Sequence, residues 1–165
     1  MVLRTLCSWF CIVKLDYCNA LLSECPLYIT NKLQKVQNAA ARLVLKARKS
    51  DHVKPLLRTL HWLPIQARID YKLCTLCHSF FSQTAPVYLS DMLNVYIPSR
   101  QLRSSSDSRM LRIPHVRTKA FGHRSFSYAA PKIWNSLPYD IRHIDSTPSF
   151  KAALKTHLFK IYLDP

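Results

Sequence analysis

Residues 28–49, YITNKLQKVQNAAARLVLKARK, carry the periodicity of an α-helix with two different faces. One stripe is apolar and repeats every three or four residues: Ile29, Leu33, Val36, Ala40, Leu43 and Ala47. At about 100° per residue these side chains share one side, which we expect to pack against the rest of the protein. The neighbouring stripe is basic: Lys32, Lys35, Arg42, Lys46 and Lys49.

The basic stripe raises the question of what balances its charge. No acidic residue occurs between Asn31 and Ser50, so intrahelical Glu–Lys pairs do not explain it. Contact with the phosphates of a nucleic acid is one interpretation. A charged face that is simply solvated is the other.

The segment before this helix predicts a further helix over Val2–Glu24, ended by Pro26. Its cysteines follow a packed-seam spacing: Cys7, Cys11, Cys18 and Cys25. Its apolar run stops at Lys14 and Asp16, well short of the roughly 20 residues of a membrane span. We therefore expect no membrane association, an intracellular location in the cytoplasm or nucleus, and cysteines that are free thiols.

The segments after it predict more helices. Asp51 is placed to cap a short helix, and Pro64 to begin one over residues 65–81. The expected buried side of the latter is Ile65, Ile69, Leu73, Leu76 and Phe80. Short helices are expected in APVYLSDML and FSYAAPKIWNSLP, and a last one from Thr147 and Pro148. Its expected core residues are Phe150, Leu154, Leu158 and Ile161. The predicted fold class is mainly α, an irregular helical bundle.

The composition restricts the function. The 165 residues include 24 Lys and Arg against 9 Asp and Glu, a net charge of +15. Such an excess indicates a polyanionic partner, most often nucleic acid, or a fragment that has lost an acidic neighbour. Gly122 is the only glycine, which argues against glycine-rich phosphate loops and against an all-β fold with many tight turns.

Residues 98–124 differ from the rest of the chain in being rich in basic residues and in lacking a long hydrophobic period. We predict a flexible, partly extended basic arm here, between a helical region of residues 1–97 and a C-terminal helical segment of residues 125–165. Its basic residues face only Asp107 as a counter-charge: Arg100, Arg103, Arg109, Arg112, Arg117, Lys119 and Arg124. Together with the basic stripe, they are the predicted nucleic-acid-binding residues.

The stretch CTLCH, residues 74–78, matches the C-x-x-C-H pattern of haem attachment and half of a zinc site. A second pair of ligands with zinc spacing is missing from the sequence. The favoured interpretation is a packed helix face, with Leu73, Leu76 and Cys77 inside and His78 near the rim. We therefore expect no cofactor and no metal ligand.

Several blocks resemble one known family: LDYCNALL, KLQKVQNAAARLVL, LHWLPIQARIDYKL, APVYLSDML, FGHRSFSYAAPKIWNSLP and SFKAALKTHLF. In this order they are similar to the C-terminal region of reverse transcriptases from LINE-type (non-LTR) retrotransposons. The resemblance covers residues 13–159. It implies the helical thumb and C-terminal extension that follow the polymerase palm and help to hold template RNA and target DNA.

The catalytic parts of that family do not match this chain. The palm binds its metal ions through an adjacent pair of aspartates, and no two aspartates are adjacent here. The family's endonuclease domain does not match either. We therefore expect a non-catalytic fragment and assign no catalytic residue.

Three functions stay open from the sequence. The first is sequence-independent binding of RNA or DNA through the phosphate backbone. The second is a helical interaction or relic protein that meets other helical segments through its apolar faces and has no nucleic-acid role. The third is a zinc-binding module. Trp62 and Trp134 are able in principle to stack on bases, but each lies beside apolar residues and is predicted to be core.

Overall fold

The structure, a computed structural model, describes residues 14–98 and 109–163, except for the side chains of residues 119 and 120. Its helices are α1 (Leu27–Leu45), α2 (Val53–Thr59), α3 (Ile65–Phe81), α4 (Val87–Ser90), α5 (Lys119–Gly122), α6 (Phe126–Asn135), α7 (Tyr139–Arg142) and α8 (Thr147–Leu163), preceded by a 3₁₀ helix, Asn19–Leu22. The predicted mainly α fold is confirmed.

Helix α3 lies at the centre of the molecule, and its bounds confirm the prediction for residues 65–81. It packs against α6, α8, α1 and the 3₁₀ helix. Three of its five predicted core residues are buried. The other two, Leu76 and Phe80, are half-buried.

The main core forms where α6 and α8 cover α3. Trp134 of α6 and Phe150 and Leu154 of α8 are all fully buried there. The two helical regions predicted for residues 1–97 and 125–165 thus meet in one core, while the three-part division of the chain stays a prediction.

The packing face predicted for residues 28–49 is wrong by roughly a quarter turn. The buried residues of α1 are Thr30, Gln37, Ala41 and Val44. Two members of the predicted apolar stripe, Val36 and Leu43, are 56% and 57% exposed. The helix also ends at Leu45 rather than at residue 49.

Two glutamines explain this rotation. Gln34 Oε1 accepts a hydrogen bond from the Ile65 N–H at 2.9 Å, and Gln37 Nε2 donates to the Leu63 carbonyl at 2.8 Å. They satisfy backbone groups at the start of α3. The Ile65 N–H would otherwise lack a partner at a cost of about 1–3 kcal/mol, while the Leu63 carbonyl also accepts from Arg68 Nε at 3.1 Å. Helix α1 therefore turns these polar side chains inward and leaves apolar ones in solvent.

The helix predicted over Val2–Glu24 is not continuous. Residues 1–13 lie outside the described ranges. From Lys14 the chain forms one helical turn to Asp16, then turns at Cys18, whose φ of 53° is left-handed, into the 3₁₀ helix. Cys18 is exposed and Cys25 is buried, so these two cysteines do not share a seam. Cys7 and Cys11 are outside the described residues.

Two smaller predictions also need correction. Ile161 of α8 is 53% exposed, and Leu163 is buried in its place. Asp51 does not cap α2. Its carboxylate instead accepts the Arg48 N–H at 2.7 Å and closes the loop between α1 and α2.

Part of the predicted basic arm is anchored rather than flexible. Leu111 is buried, forms an antiparallel bridge with Val95, and exchanges hydrogen bonds with the Asn135 side chain at 3.0 and 2.7 Å. The Trp134 Nε1–H donates to the Arg109 carbonyl at 2.6 Å. This extended segment is thus tied to α6. Residues 99–108 of the arm lie outside the described part of the chain.

Helices α1, α2 and α3 each end on a left-handed residue that is not glycine: Lys46, His61 and Gln83, with φ between 53° and 55°. In each case the next N–H reaches back to the carbonyl five residues earlier, as in Thr84 to Ser79 at 2.9 Å. A side chain costs about 1–2 kcal/mol in this conformation.

We expect Gln83→Gly to raise the free energy of unfolding by about 0.5–1 kcal/mol, because glycine removes that strain but makes the unfolded chain freer. Gln83 is exposed, so no packing is lost. Urea denaturation followed by circular dichroism measures the change. Gln83→Ala retains a Cβ and serves as the control, with little change expected; an equal gain from both variants would contradict the explanation.

Candidate nucleic-acid interface

The predicted basic stripe does not form one continuous face. Lys32 and Lys35 are exposed on α1, but Lys46 takes the left-handed position that ends the helix, and Lys49 lies in the loop beyond it. Arg42 is half-buried and donates to the Asp51 carbonyl at 3.2 Å. The stripe is therefore two exposed helix lysines plus a basic loop, with Arg42 bracing that loop.

The arm residues divide in the same way. Arg109 forms an ion pair with Asp145 and donates to the carbonyls of Arg142 and Ile144 at 3.0 and 3.3 Å. It therefore holds the segment in place. Arg112 and Arg117 are exposed, and Arg124 is half-buried. Arg100, Arg103 and the Lys119 side chain lie outside the described part.

The described surface carries far more cations than its carboxylates can balance. The structure describes 20 of the 24 basic side chains, all except those of Arg4, Arg100, Arg103 and Lys119. It describes seven of the nine acidic side chains, all except those of Asp107 and Asp164. Within these residues three ion pairs form: Arg68–Asp16 at 2.6 Å, Lys132–Glu24 at 2.5 Å and Arg109–Asp145. The surface positive charge thus persists after folding.

The structure also shows a basic cleft that the sequence analysis missed. It has a volume of about 360 Å³ and lies where the turn between α2 and α3 meets α3, α8 and the chain before α1. Its charged and polar wall consists of Asp16, Asn19, His61, Arg68, Lys72 and Lys155. One available signal was spacing: Arg68 and Lys72, four residues apart, share a helix face.

The Cys-x-x-Cys-His pattern proves to be part of the core. Cys74 and Cys77 are fully buried among the residues that pack α3 against α6 and α8, and burial raises the pKa of both thiols. Among the residues in the described ranges, no three His, Cys, Asp or Glu side chains are placed to hold a metal ion.

His78 is buried, not near the rim as predicted. Its ring stacks on Phe150 with centroids 4.2 Å apart, and burial lowers its pKa. Nε2 lies 2.9 Å from the Ile144 carbonyl, which assigns the proton to Nε2, and Nδ1 lies 3.3 Å from the Ser82 hydroxyl. Nε2 therefore holds α3 to the α7–α8 connection, while Nδ1 is engaged by Ser82 at the end of α3 itself.

We expect alkylation of Cys74 and Cys77 in the native protein to be on the order of a thousandfold slower than that of the exposed Cys18. Access to the buried thiols requires opening of the core. Iodoacetamide treatment followed by peptide mass mapping gives each rate separately. Denaturant should make the three rates similar, and fast labelling of Cys77 under native conditions would contradict the packing described above.

Asp70 is a buried carboxyl group on α3. It accepts hydrogen bonds from the Tyr162 hydroxyl at 2.5 Å and from Gln66 Nε2 at 3.3 Å, yet burial raises its pKa. Burial and the nearby carboxylate likewise raise the pKa of Tyr162. The pair ties α8 to α3.

We expect Asp70→Asn to become more stable relative to the parent as pH rises. The pKa of Asp70 is higher in the folded protein than in the unfolded chain, where it is near 3.8. The parent therefore has its full stability below this unfolded value and loses part of it as the pH rises through the folded-state pKa. Asparagine does not titrate and still accepts the Tyr162 hydrogen bond. Denaturation at a series of pH values measures the difference, and a difference that shrinks toward neutral pH would contradict the assignment.

In the described ranges of the chain, no helix is both long and apolar enough to cross a membrane. Comparison of the chain with protein-family models, curated proteins and solved structures found no match.

Proposed function

We propose that this chain is a non-catalytic relative of the C-terminal region of LINE-type reverse transcriptases, and that it binds RNA or DNA through the phosphate backbone without reading sequence. The observation that carries the proposal is the excess of exposed cations over available carboxylates. A positive surface of this kind recruits a polyanion and releases its counterions. Such a partner places the protein in the cytoplasm or nucleus.

Three exposed lysines test this proposal: Lys32, Lys35 and Lys49. Replacing all three with glutamine preserves helix propensity at positions 32 and 35, and position 49 lies in the loop after α1. At about 0.2–1 kcal/mol for each exposed contact, RNA binding should weaken by about tenfold. Arg42 is left unchanged because its side chain braces the loop, and Lys46 because it takes the left-handed position that ends α1. Fluorescence anisotropy with a labelled single-stranded RNA measures the affinity, and circular dichroism checks the fold.

The matched control removes the same charge from exposed positions elsewhere: Lys14, Lys151 and Lys160. We expect it to weaken binding less than threefold, because it changes the net charge but spares the α1 surface. Equal weakening by both variants would leave only a diffuse charge effect. Absence of RNA binding by the parent would reject the proposal.

A second candidate function rests on the apolar residues that α1 leaves in solvent. Leu27, Tyr28, Val36 and Leu43 are each more than half exposed. Exposed apolar groups on one helix are typical of a surface that another helical segment covers. Analytical ultracentrifugation of the parent and of the Val36→Ser, Leu43→Ser double variant tests this function. If RNA does not bind, and the parent sediments as an oligomer but the double variant as a monomer, this function replaces the first.

A further inference from the structure

The cleft beside α3 combines free positive charge with an apolar wall. Arg68 and Asp16 neutralise each other across 2.6 Å. In the described part of the chain no carboxylate pairs with Lys72 of α3 or Lys155 of α8. The cleft therefore presents two cations from two different helices that none of the described carboxylates neutralises, although the Lys155 ammonium also lies over the Phe159 ring, 5.8 Å from its centroid.

The rest of the wall suits an organic group attached to the anion. Tyr71 contributes apolar surface, and Trp62 and Leu63, which are buried core residues as predicted for Trp62, show only their edges there. His61 stands beside Phe159 with ring centroids 6.5 Å apart. Asn19 is only 3% exposed, and its Oδ1 has no hydrogen-bond partner among the described residues. A buried acceptor without a donor is costly, but solvent does not reach this Oδ1, so a ligand contacts it only if the wall moves.

The volume of the cleft limits the size of the ligand that it encloses. About 360 Å³ lies at the low end of the range for small-ligand sites, which is room for about one nucleotide. A phosphate at the end of a strand carries a charge of about −1.5 to −2 at neutral pH, whereas a phosphodiester within it carries −1. Two lysines without an ion pair among the described residues match the charge of the terminal group.

We propose that this cleft binds the terminal phosphate of a single-stranded nucleic acid, with Lys72 and Lys155 as its cations and the Tyr71 ring against the attached nucleoside. The proposal rests on the proposed nucleic-acid function and names one site within it. A free nucleoside monophosphate offers the same chemistry, and the experiment separates the two sources.

The test compares short RNAs of one sequence that carry a phosphate at the 5′ end, at the 3′ end or at neither end. We expect the parent to bind one of the phosphorylated forms about fivefold more tightly than the unphosphorylated form. Lys72→Gln with Lys155→Gln should reduce this ratio to about one. Lys32→Gln with Lys35→Gln removes the same charge outside the cleft, so it should weaken all three RNAs and leave the ratio unchanged.

A second variant changes the site in the opposite direction. Asp16→Asn releases Arg68 from its ion pair and should increase the ratio. A ratio of one in the parent, together with salt-dependent binding, overturns the terminal-phosphate site but leaves the proposed function intact. If no RNA binds, the function fails. In that case uridine monophosphate is tested alone. If it binds the parent and the Lys72→Gln, Lys155→Gln double variant loses this binding, the cleft remains a site for a free nucleotide. If it does not bind the parent, the proposal is wrong.

Discussion

Trp134→Ala should lower the free energy of unfolding by about 3–5 kcal/mol, the usual cost of removing a large aromatic side chain from a core. Trp134 is 0% exposed, with its ring centroid 5.3 Å from that of Phe81 and 5.8 Å from that of Phe150. It also donates its indole hydrogen bond to the Arg109 carbonyl. One substitution thus opens a cavity among α3, α6 and α8 and loosens the extended segment. Equilibrium denaturation in urea measures the loss.

Two controls separate the contributions. Trp134→Phe retains an aromatic ring but loses the donor to Arg109, so we expect a loss of about 1–3 kcal/mol. Ile161→Ala tests an exposed position on α8 and should change stability by about 0.5 kcal/mol or less. If Ile161→Ala cost as much as Trp134→Ala, the packing face assigned to α8 would be incorrect.

The second large effect concerns ionic strength. With five phosphate contacts, the affinity for single-stranded RNA should fall about a hundredfold between 50 and 200 mM salt, because each contact contributes about −0.7 to the slope of log K against log salt. Exposed side chains supply five candidates: Lys32, Lys35, Lys49, Arg112 and Arg117. The affinity should depend little on base sequence, since phosphate contacts position a protein without reading bases.

Titrations of a labelled RNA at several salt concentrations give this slope directly. The variant lacking Lys32, Lys35 and Lys49 should have a slope shallower by about two units, three contacts at about 0.7 each. A parent slope near zero would indicate that the cations are merely solvated. A slope that stays steep in that variant would direct attention to the arm and the cleft.

The contrast between α3 and α1 shows what the sequence could predict. The period of apolar residues and Pro64 placed α3 and three of its five predicted core residues correctly. The buried side also includes Asp70 and His78, where hydrogen bonds add to the hydrophobic contacts. In α1 the decisive groups are Gln34 and Gln37, whose partners lie 31 and 26 residues away. A hydrophobic pattern carries no information about such hydrogen bonds, so the predicted face was rotated.

The candidate site was predictable only in part. Charge composition identified the excess of cations, and local spacing identified Lys32 and Lys35. Arg109 resembles its basic neighbours in sequence, but the carbonyls of the α7–α8 connection draw it inward. Beyond the shared helix face of Arg68 and Lys72, the cleft was not predictable, because Asp16, Lys72 and Lys155 come from three separate segments that only the folded core brings together.

The central position of α3 also affects how this protein folds during synthesis. Its polar contacts reach from the Asn19 amide, 49 residues before Arg68, to the Tyr162 hydroxyl, 92 residues after Asp70. Translation runs from the amino end, so the apolar side of α3 leaves the ribosome well before α8 is made to cover it. The nascent chain therefore exposes the apolar side of α3 until α8 emerges from the ribosome. Chaperones that recognise apolar segments can bind it throughout that interval.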